Sequence, residues 1–181
     1  GCFRLDVENS FLNYFRRNTR VRRELAYIDR HFGGSTPLNL VYNYEPPADD
    51  DLFLSAETVQ RLQLIHQTVQ QRPAVGRVLS FVSLTELARR LNGGQPLTEY
   101  ELAALFRAVE GPLRRDLIGA YISPRHRQAR IAVRIQDTTA GLDRAAFLQR
   151  LHDDLQELGL APNEYELSGL FVLYQDILSR L

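Results

Sequence analysis

Seven residues, Ala129 to Ile135, constrain the fold more than any others in the chain. Ala129, Ile131, Val133 and Ile135 alternate with Arg130, Ala132 and Arg134. A period of two places the two sets on opposite faces of an extended chain, so this stretch is a strand with one apolar and one more polar side. That division suits an antiparallel sheet packed on one face only. Ser123-Pro124-Arg125-His126-Arg127 just before it reads as a turn, and Leu117 to Ile122 is placed to pair back partly on the strand as a hairpin.

Other segments arrange themselves around this strand. A lead-in through residue 18 carries Phe11, Leu12, Tyr14 and Phe15 with little pattern to bury them. Val21, Leu25, Ile28 and Phe32 then recur on one face of a helix, capped by Asn18 or Thr19 and ended by Gly33-Gly34. Leu38, Leu40, Tyr42 and Tyr44 alternate with Asn39, Val41 and Asn43 in a strand that Pro46-Pro47 stops. Ser55 caps a helix with inner face Val59, Leu62, Ile65 and Val69, which ends by Pro73. Val75 to Val82 reads as a buried strand.

The centre of the chain is helical. Ser83-Leu84-Thr85-Glu86 and Thr98-Glu99-Tyr100-Glu101 each fit a capping box, in which a cap hydroxyl and a glutamate three residues on satisfy two backbone N–H groups. Asn92-Gly93-Gly94 separates them, Leu102, Leu105, Phe106 and Val109 give the second helix its core face, and Gly111-Pro112 ends it before a short helical turn from Leu113 to Leu117. After the alternating strand, Leu148, Leu151, Leu155 and Leu158 mark another helix closed by Gly159. A strand from Tyr165 to about Leu170 and an apolar helical tail from Phe171 complete the chain.

The core order is therefore strand, helix, strand, helical insertion, strand, helix, strand. This predicts an α+β chain with a ferredoxin-like βαβ-βαβ sandwich: a four-stranded antiparallel sheet, two helices on one face, a helical insertion and helical terminal segments. The expected division is a lead-in over residues 1–18, a domain over 19–170 with its insertion at about 83–119, and an exit segment over 171–181.

Composition narrows the functional classes. The chain of 181 residues is 44% hydrophobic and 24% charged, with 22 basic and 22 acidic groups, and every basic group is arginine. Such a chain is one ordinary domain and buries about 70% of its unfolded surface. Net neutrality argues against a general polyanion binder, so no nucleic acid is expected. One cysteine excludes an internal disulfide framework and a thiolate zinc cage. The chain starts Gly1-Cys2 and contains no methionine, which leads to the expectation of a piece cut from a longer protein.

Catalytic patterns are sparse. His31, His66, His126 and His152 are scattered, and Asp49-Asp50-Asp51 lacks the alternate spacing and distal glutamate of a calcium loop. Gly33-Gly34-Ser35 and Asn92-Gly93-Gly94 serve better as helix stops than as phosphate cradles. The basic run Arg16, Arg17, Arg20, Arg22 and Arg23 lacks interleaved aromatic platforms. No catalytic residue, metal ligand or cofactor is assigned.

Four strings resemble a known family. Glu8-Asn9-Ser10-Phe11-Leu12-Asn13-Tyr14-Phe15 resembles the start of the first extracytoplasmic loop in exporters of the RND superfamily, MMPL-like branch. Gly33-Gly34-Ser35-Thr36-Pro37-Leu38-Asn39-Leu40-Val41-Tyr42 is similar to the first strand of the family's porter domain, and Gln128-Ala129-Arg130-Ile131-Ala132-Val133-Arg134-Ile135-Gln136-Asp137 to its third. Gly169-Leu170-Phe171-Val172-Leu173-Tyr174 resembles the exit towards the second transmembrane helix. The likeness spans residues 8–181.

The resemblance implies a non-enzymatic periplasmic porter domain of a proton-driven exporter in a bacterial inner membrane. It also implies a ferredoxin-like porter fold, and proton-carrying residues in helices outside this chain. A single porter unit with a helical insertion departs from tripartite drug exporters and favours the branch associated with lipids, hopanoids and other hydrophobic cargo. Expected partners are the transmembrane domain and second periplasmic loop of the same parent chain and a hydrophobic or lipid-like cargo, with homo-oligomerisation of the full exporter left open. The insertion is the expected mobile or cargo-facing element. Phe81, Tyr100, Leu102, Phe106 and Phe171 are the expected cargo or partner surface, set against the alternative that they fill the core. The rival functions are a small enzyme on the same fold and an extracytoplasmic sensor or docking module.

Overall fold

The computed structural model describes Ser10 and residues 35–136 and 142–179. The expected helix from Val21 to Phe32, its Gly33-Gly34 stop and the rest of the lead-in lie outside the described residues. The elements in order are β1 (Ser35–Asn43), α1 (Ala56–Gln70), β2 (Val75–Leu79), α2 (Phe81–Leu91), α3 (Glu99–Ala108), α4 (Gly111–Arg114), a π-helical turn (Arg115–Gly119), β3 (Ile122–Ser123), β4 (Gln128–Gln136), α5 (Arg144–Glu157), β5 (Tyr165–Ser168) and α6 (Leu170–Ser179). The chain is thus α+β among the described residues, with six helices and a five-stranded antiparallel sheet.

β1 and β4 form the centre, each nine residues long. Leu38 lies opposite Val133 and Leu40 opposite Ile131, so the alternation in both strands puts these four side chains on one face, where all are buried. Pro37, Asn39 and Val41 share the other face with Arg130, Ala132 and Arg134, all half-buried. Arg130 Nε donates to Asn39 Oδ1 there at 3.0 Å. A proline inside β1 is tolerated because β5 pairs with Asn39–Tyr42 only, leaving Pro37 a strand neighbour on one side.

The order across the sheet is β2-β4-β1-β5, all neighbours antiparallel. β1 and β2 therefore run parallel with β4 between them, and β4 and β5 run parallel with β1 between them. Their crossover helices are α1 and α5. Leu62, Ile65 and Val69 of α1 and Phe147, Leu151 and Leu155 of α5 are buried in the same core as the inner faces of β1 and β4. Arg72, just past α1, forms an ion pair with Asp154 of α5.

The sheet has five strands where the sequence predicts four. β2 covers only Val75–Leu79 and pairs with residues 132–135, so the first residues of β4 would present a bare edge. β3 fills it, with Ile122 opposite Ala129 and Ser123 opposite Gln128. β2 and β3 thus lie end to end along the same edge of β4, and the insertion is a protrusion from one interrupted edge strand. It runs over residues 80–121, wider than the expected 83–119. The partial hairpin expected before β4 is present as β3.

The expected strand to Val82 also stops early. Ser80 Oγ accepts from Val82 N–H, and Ser80 N–H donates to Ser83 Oγ, so the capping box sits at Ser80 and Ser83 and not at Ser83 and Glu86. Phe81 and Val82 are consequently the first turn of α2. Glu86 pairs instead with Arg89 and Arg90 one turn on. The second box is where the sequence puts it: Thr98 Oγ1 accepts from Glu101 N–H while Glu101 Oε1 accepts from Thr98 N–H. Ser55 caps α1 by accepting from Thr58 N–H.

β5 ends at Ser168, before the predicted Leu170, because Gly169 turns the chain with φ +101°. A Cβ at Gly169 would lie 3.0 Å from Pro37 O and 3.2 Å from Asn39 N. Glycine is required here by both conformation and clearance.

Candidate functional site

The expected surface aromatics are mostly interior. Phe81 starts α2 and Phe106 ends α3, and each is 1% exposed. Their rings lie 4.9 Å apart, and Phe53 from the loop before α1 closes the trio at 5.9 Å from both. Leu102, one turn before Phe106 on the same face of α3, is buried too. Phe171 is fully buried against Phe147 at 5.5 Å, with the Arg144 guanidinium 6.0 Å over its ring. These four residues are core and not open surface. The three rings pack on residues distant in sequence, and burying an aromatic ring contributes about 1.5–3 kcal/mol.

The insertion as a whole follows. Leu84, Ala88, Leu105, Val109, Leu117 and Ile118 belong to the same buried cluster as the sheet. The insertion completes the core beneath the sheet instead of hanging from it.

Tyr100 alone of the five is open, at 48% exposure. Its hydroxyl donates to Asp49 Oδ2 at 2.8 Å, while Asp49 Oδ1 accepts from Asp51 N–H at 2.9 Å. These two bonds hold the Asp49 carboxyl below the usual range, and Asp49 in turn pushes the Tyr100 phenol up. Glu99 Oε2 accepts from Ala56 N–H, and Arg107 donates to Asp51 O. The acidic loop is therefore a docking strap for α3, tied by backbone and side-chain bonds. Among the described residues no three His, Cys, Asp or Glu side chains converge as a metal site.

The open apolar surface is on α6. Leu170, Leu173 and Ile177 are 39%, 52% and 48% exposed, and their spacing of three and four puts them on one stripe. Phe171 turns the other way into the core. Position along the tail, visible in the sequence as an apolar run, could have identified the stripe had its period been followed residue by residue.

Two polar groupings lie beneath the helices. Tyr42 of β1 sits opposite Tyr165 of β5. Arg61 of α1 bonds Glu164 at 3.2 Å and hydrogen-bonds the Tyr42 phenol; burial pushes that phenol up and Arg61 opposes the push. His152 Nδ1 of α5 lies 2.8 Å from Tyr165 Oη. Separately, His66 Nδ1 lies 2.7 Å from Ser80 Oγ in the core, both residues buried. A serine–histidine pair suggests a nucleophile and its base, but Ser80 Oγ is 1% exposed as part of its residue and is occupied as a helix cap, so no substrate reaches it.

No protein-family model matches this chain, and neither do curated proteins or solved structures.

Proposed function

We propose that this chain is a porter-type domain of a proton-driven exporter of the RND superfamily, MMPL-like branch. It is non-enzymatic, lies on the periplasmic side of a bacterial inner membrane, and contributes surface to the passage of a hydrophobic or lipid-like cargo. The observation that carries the reading is the strand order β2-β4-β1-β5, with α1 and α5 on one face. Each βαβ unit is split by a strand of the other, which supports the ferredoxin-like sandwich expected of porter domains in this family. The four sequence strings described above support the same assignment.

The open stripe Leu170, Leu173 and Ile177 supports an apolar contact. It stands on α6, whose first turns belong to the string Gly169 to Tyr174 that resembles the exit towards a transmembrane helix. Few fixed polar contacts suit a path that must release its cargo. Among the described residues no helix is long and apolar enough to cross a membrane. The transmembrane domain and second periplasmic loop of the parent protein are the partners this reading requires, and proton-carrying residues belong to that membrane part.

The test is a deletion of the parent gene in its own bacterium, followed by measurement of retained lipophilic dye and extractable envelope lipid. Raised retention, restored by the intact gene, supports the proposal. Unchanged retention of every apolar compound, with the full protein shown to be expressed in the wild type, contradicts it.

A further inference from the structure

The buried pair His66–Ser80 joins two parts of the molecule at a revealing place. His66 lies on the inner stripe of α1 with Leu62, Ile65 and Val69. Ser80 is the residue between the end of β2 and the start of α2, and it caps α2. Its hydroxyl oxygen already accepts from Val82 N–H at 3.1 Å. In the neutral tautomer with Nδ1 unprotonated, the Ser80 hydroxyl donates to His66 Nδ1, 2.7 Å away.

Protonation reverses that bond. Nδ1 becomes a donor, Ser80 Oγ must then accept from both His66 and Val82, and the Ser80 hydroxyl proton loses its acceptor in the core. The ring would also carry a charge among apolar side chains, and each change costs free energy on burial. We infer that the His66–Ser80 pair is a proton-released latch: the neutral ring fastens the insertion to α1, and protonation loosens α2 while the sheet keeps its pairing.

The surroundings favour this behaviour. The inner face of β4 offers Ala129, Ile131, Val133 and Ile135, and β2 offers buried Val78. Arg77 of β2 lies opposite Arg134 on the other sheet face. On α2, Glu86 pairs with Arg89 and Arg90, whose side chains are solvent-accessible. On α1, Arg61 pairs with Glu164, and past its end Arg72 pairs with Asp154 of α5. Among the described residues no charged group moves the His66 ring; burial alone pushes its pKa below the ordinary 6.5.

The sign follows from that direction. The unfolded or opened state binds the proton more readily than the latched state, so the latch is fully closed above about pH 6.5 and weakens as pH falls below it. The inference is independent of the exporter assignment, since it concerns only this chain's own packing.

The experiment is amide hydrogen exchange and imidazole NMR on the full chain between pH 7.5 and 5. After correction for intrinsic exchange, the open population of the Leu84–Ala88 amides should rise by up to about tenfold per pH unit below 6.5, while Ile131 and Val133 stay unchanged. The His66 ring should titrate below 6.5 from the Nδ1-acceptor tautomer. His66→Asn, which keeps an acceptor near Nδ1 but does not titrate, should abolish the pH dependence. If that variant does not fold, the wild-type exchange decides. Equal fold-changes in α2 and β4, no change in either, or a ring that titrates at or above 6.5 would overturn the latch.

Discussion

β1 and β4 face each other in unbroken register from Ser35 opposite Gln136 to Asn43 opposite Gln128, whereas the helices between β2 and β3 are held by other means. α2 depends on the Ser80 cap and the Phe53–Phe81–Phe106 trio. α3 depends on its Thr98 box and on bonds to the 49–56 loop. In the sheet, a row of backbone bonds and alternating side chains makes each residue's place redundant with its neighbours'. In the insertion, a few side chains carry the docking. Yet both regions feed one buried cluster. A segment can therefore be optional to a sheet's topology and still be indispensable to its core.

This contrast is open to mutational attack. Phe106→Ala should have the largest effect, about 3–5 kcal/mol lost in urea unfolding, because it removes the ring that touches both Phe53 and Phe81. If the cost is under 1 kcal/mol, the trio does not couple the regions. Gly169→Ala, beside β1 of the sheet, should cost about 1–3 kcal/mol by combining a positive φ with close approach to Pro37 O and Asn39 N. Its thermal midpoint should fall with no change in the α2 exchange pattern relative to the sheet.

Smaller effects sharpen the comparison. Arg127 closes the β3–β4 turn with φ +53°, so Arg127→Gly should stabilise by up to about 1 kcal/mol, read as a higher melting temperature. Leu173→Asp on the open stripe should stay within about 0.5 kcal/mol of the parent in stability. The same variant should lose binding of an apolar fluorophore that the parent chain binds. Retained binding would show that the α6 stripe is not the apolar contact.

Much of this was legible in the residues, and the failures have physical causes. Alternation at Ala129–Ile135 and Leu38–Tyr42 predicts the two central strands because one-sided burial imposes a period of two. Ser55, Thr98 and Glu101 announce helix starts because capping is a local interaction. Val78 to Val82 misleads because a short apolar run suits a strand or a helix start equally, and the Ser80–Ser83 capping box decides for the helix. The turn at Ser123–Arg127 announces the partial hairpin that becomes β3, but its length of two residues follows from how much of β4 is left uncovered by β2, which is a tertiary cause. Spacing already put Phe106 on the core face of its helix, whereas Phe81 and Phe171 could not be placed as core from spacing alone, since they pack on Phe53 and Phe147 of other elements. Tyr100 sits at the solvent side of the same helix that buries Leu102 and Phe106, a distinction the 3.6-residue period already contains.

The central claim is that the sheet and the insertion share one core. It is tested most directly by urea unfolding at pH 7.5, followed at once through the methyl resonances of Leu105 in the insertion and Ile131 in the sheet. The account predicts a single shared midpoint, lowered equally at both probes by Phe106→Ala. A Leu105 transition that precedes that of Ile131, with Ile131 untouched by the substitution, would contradict it.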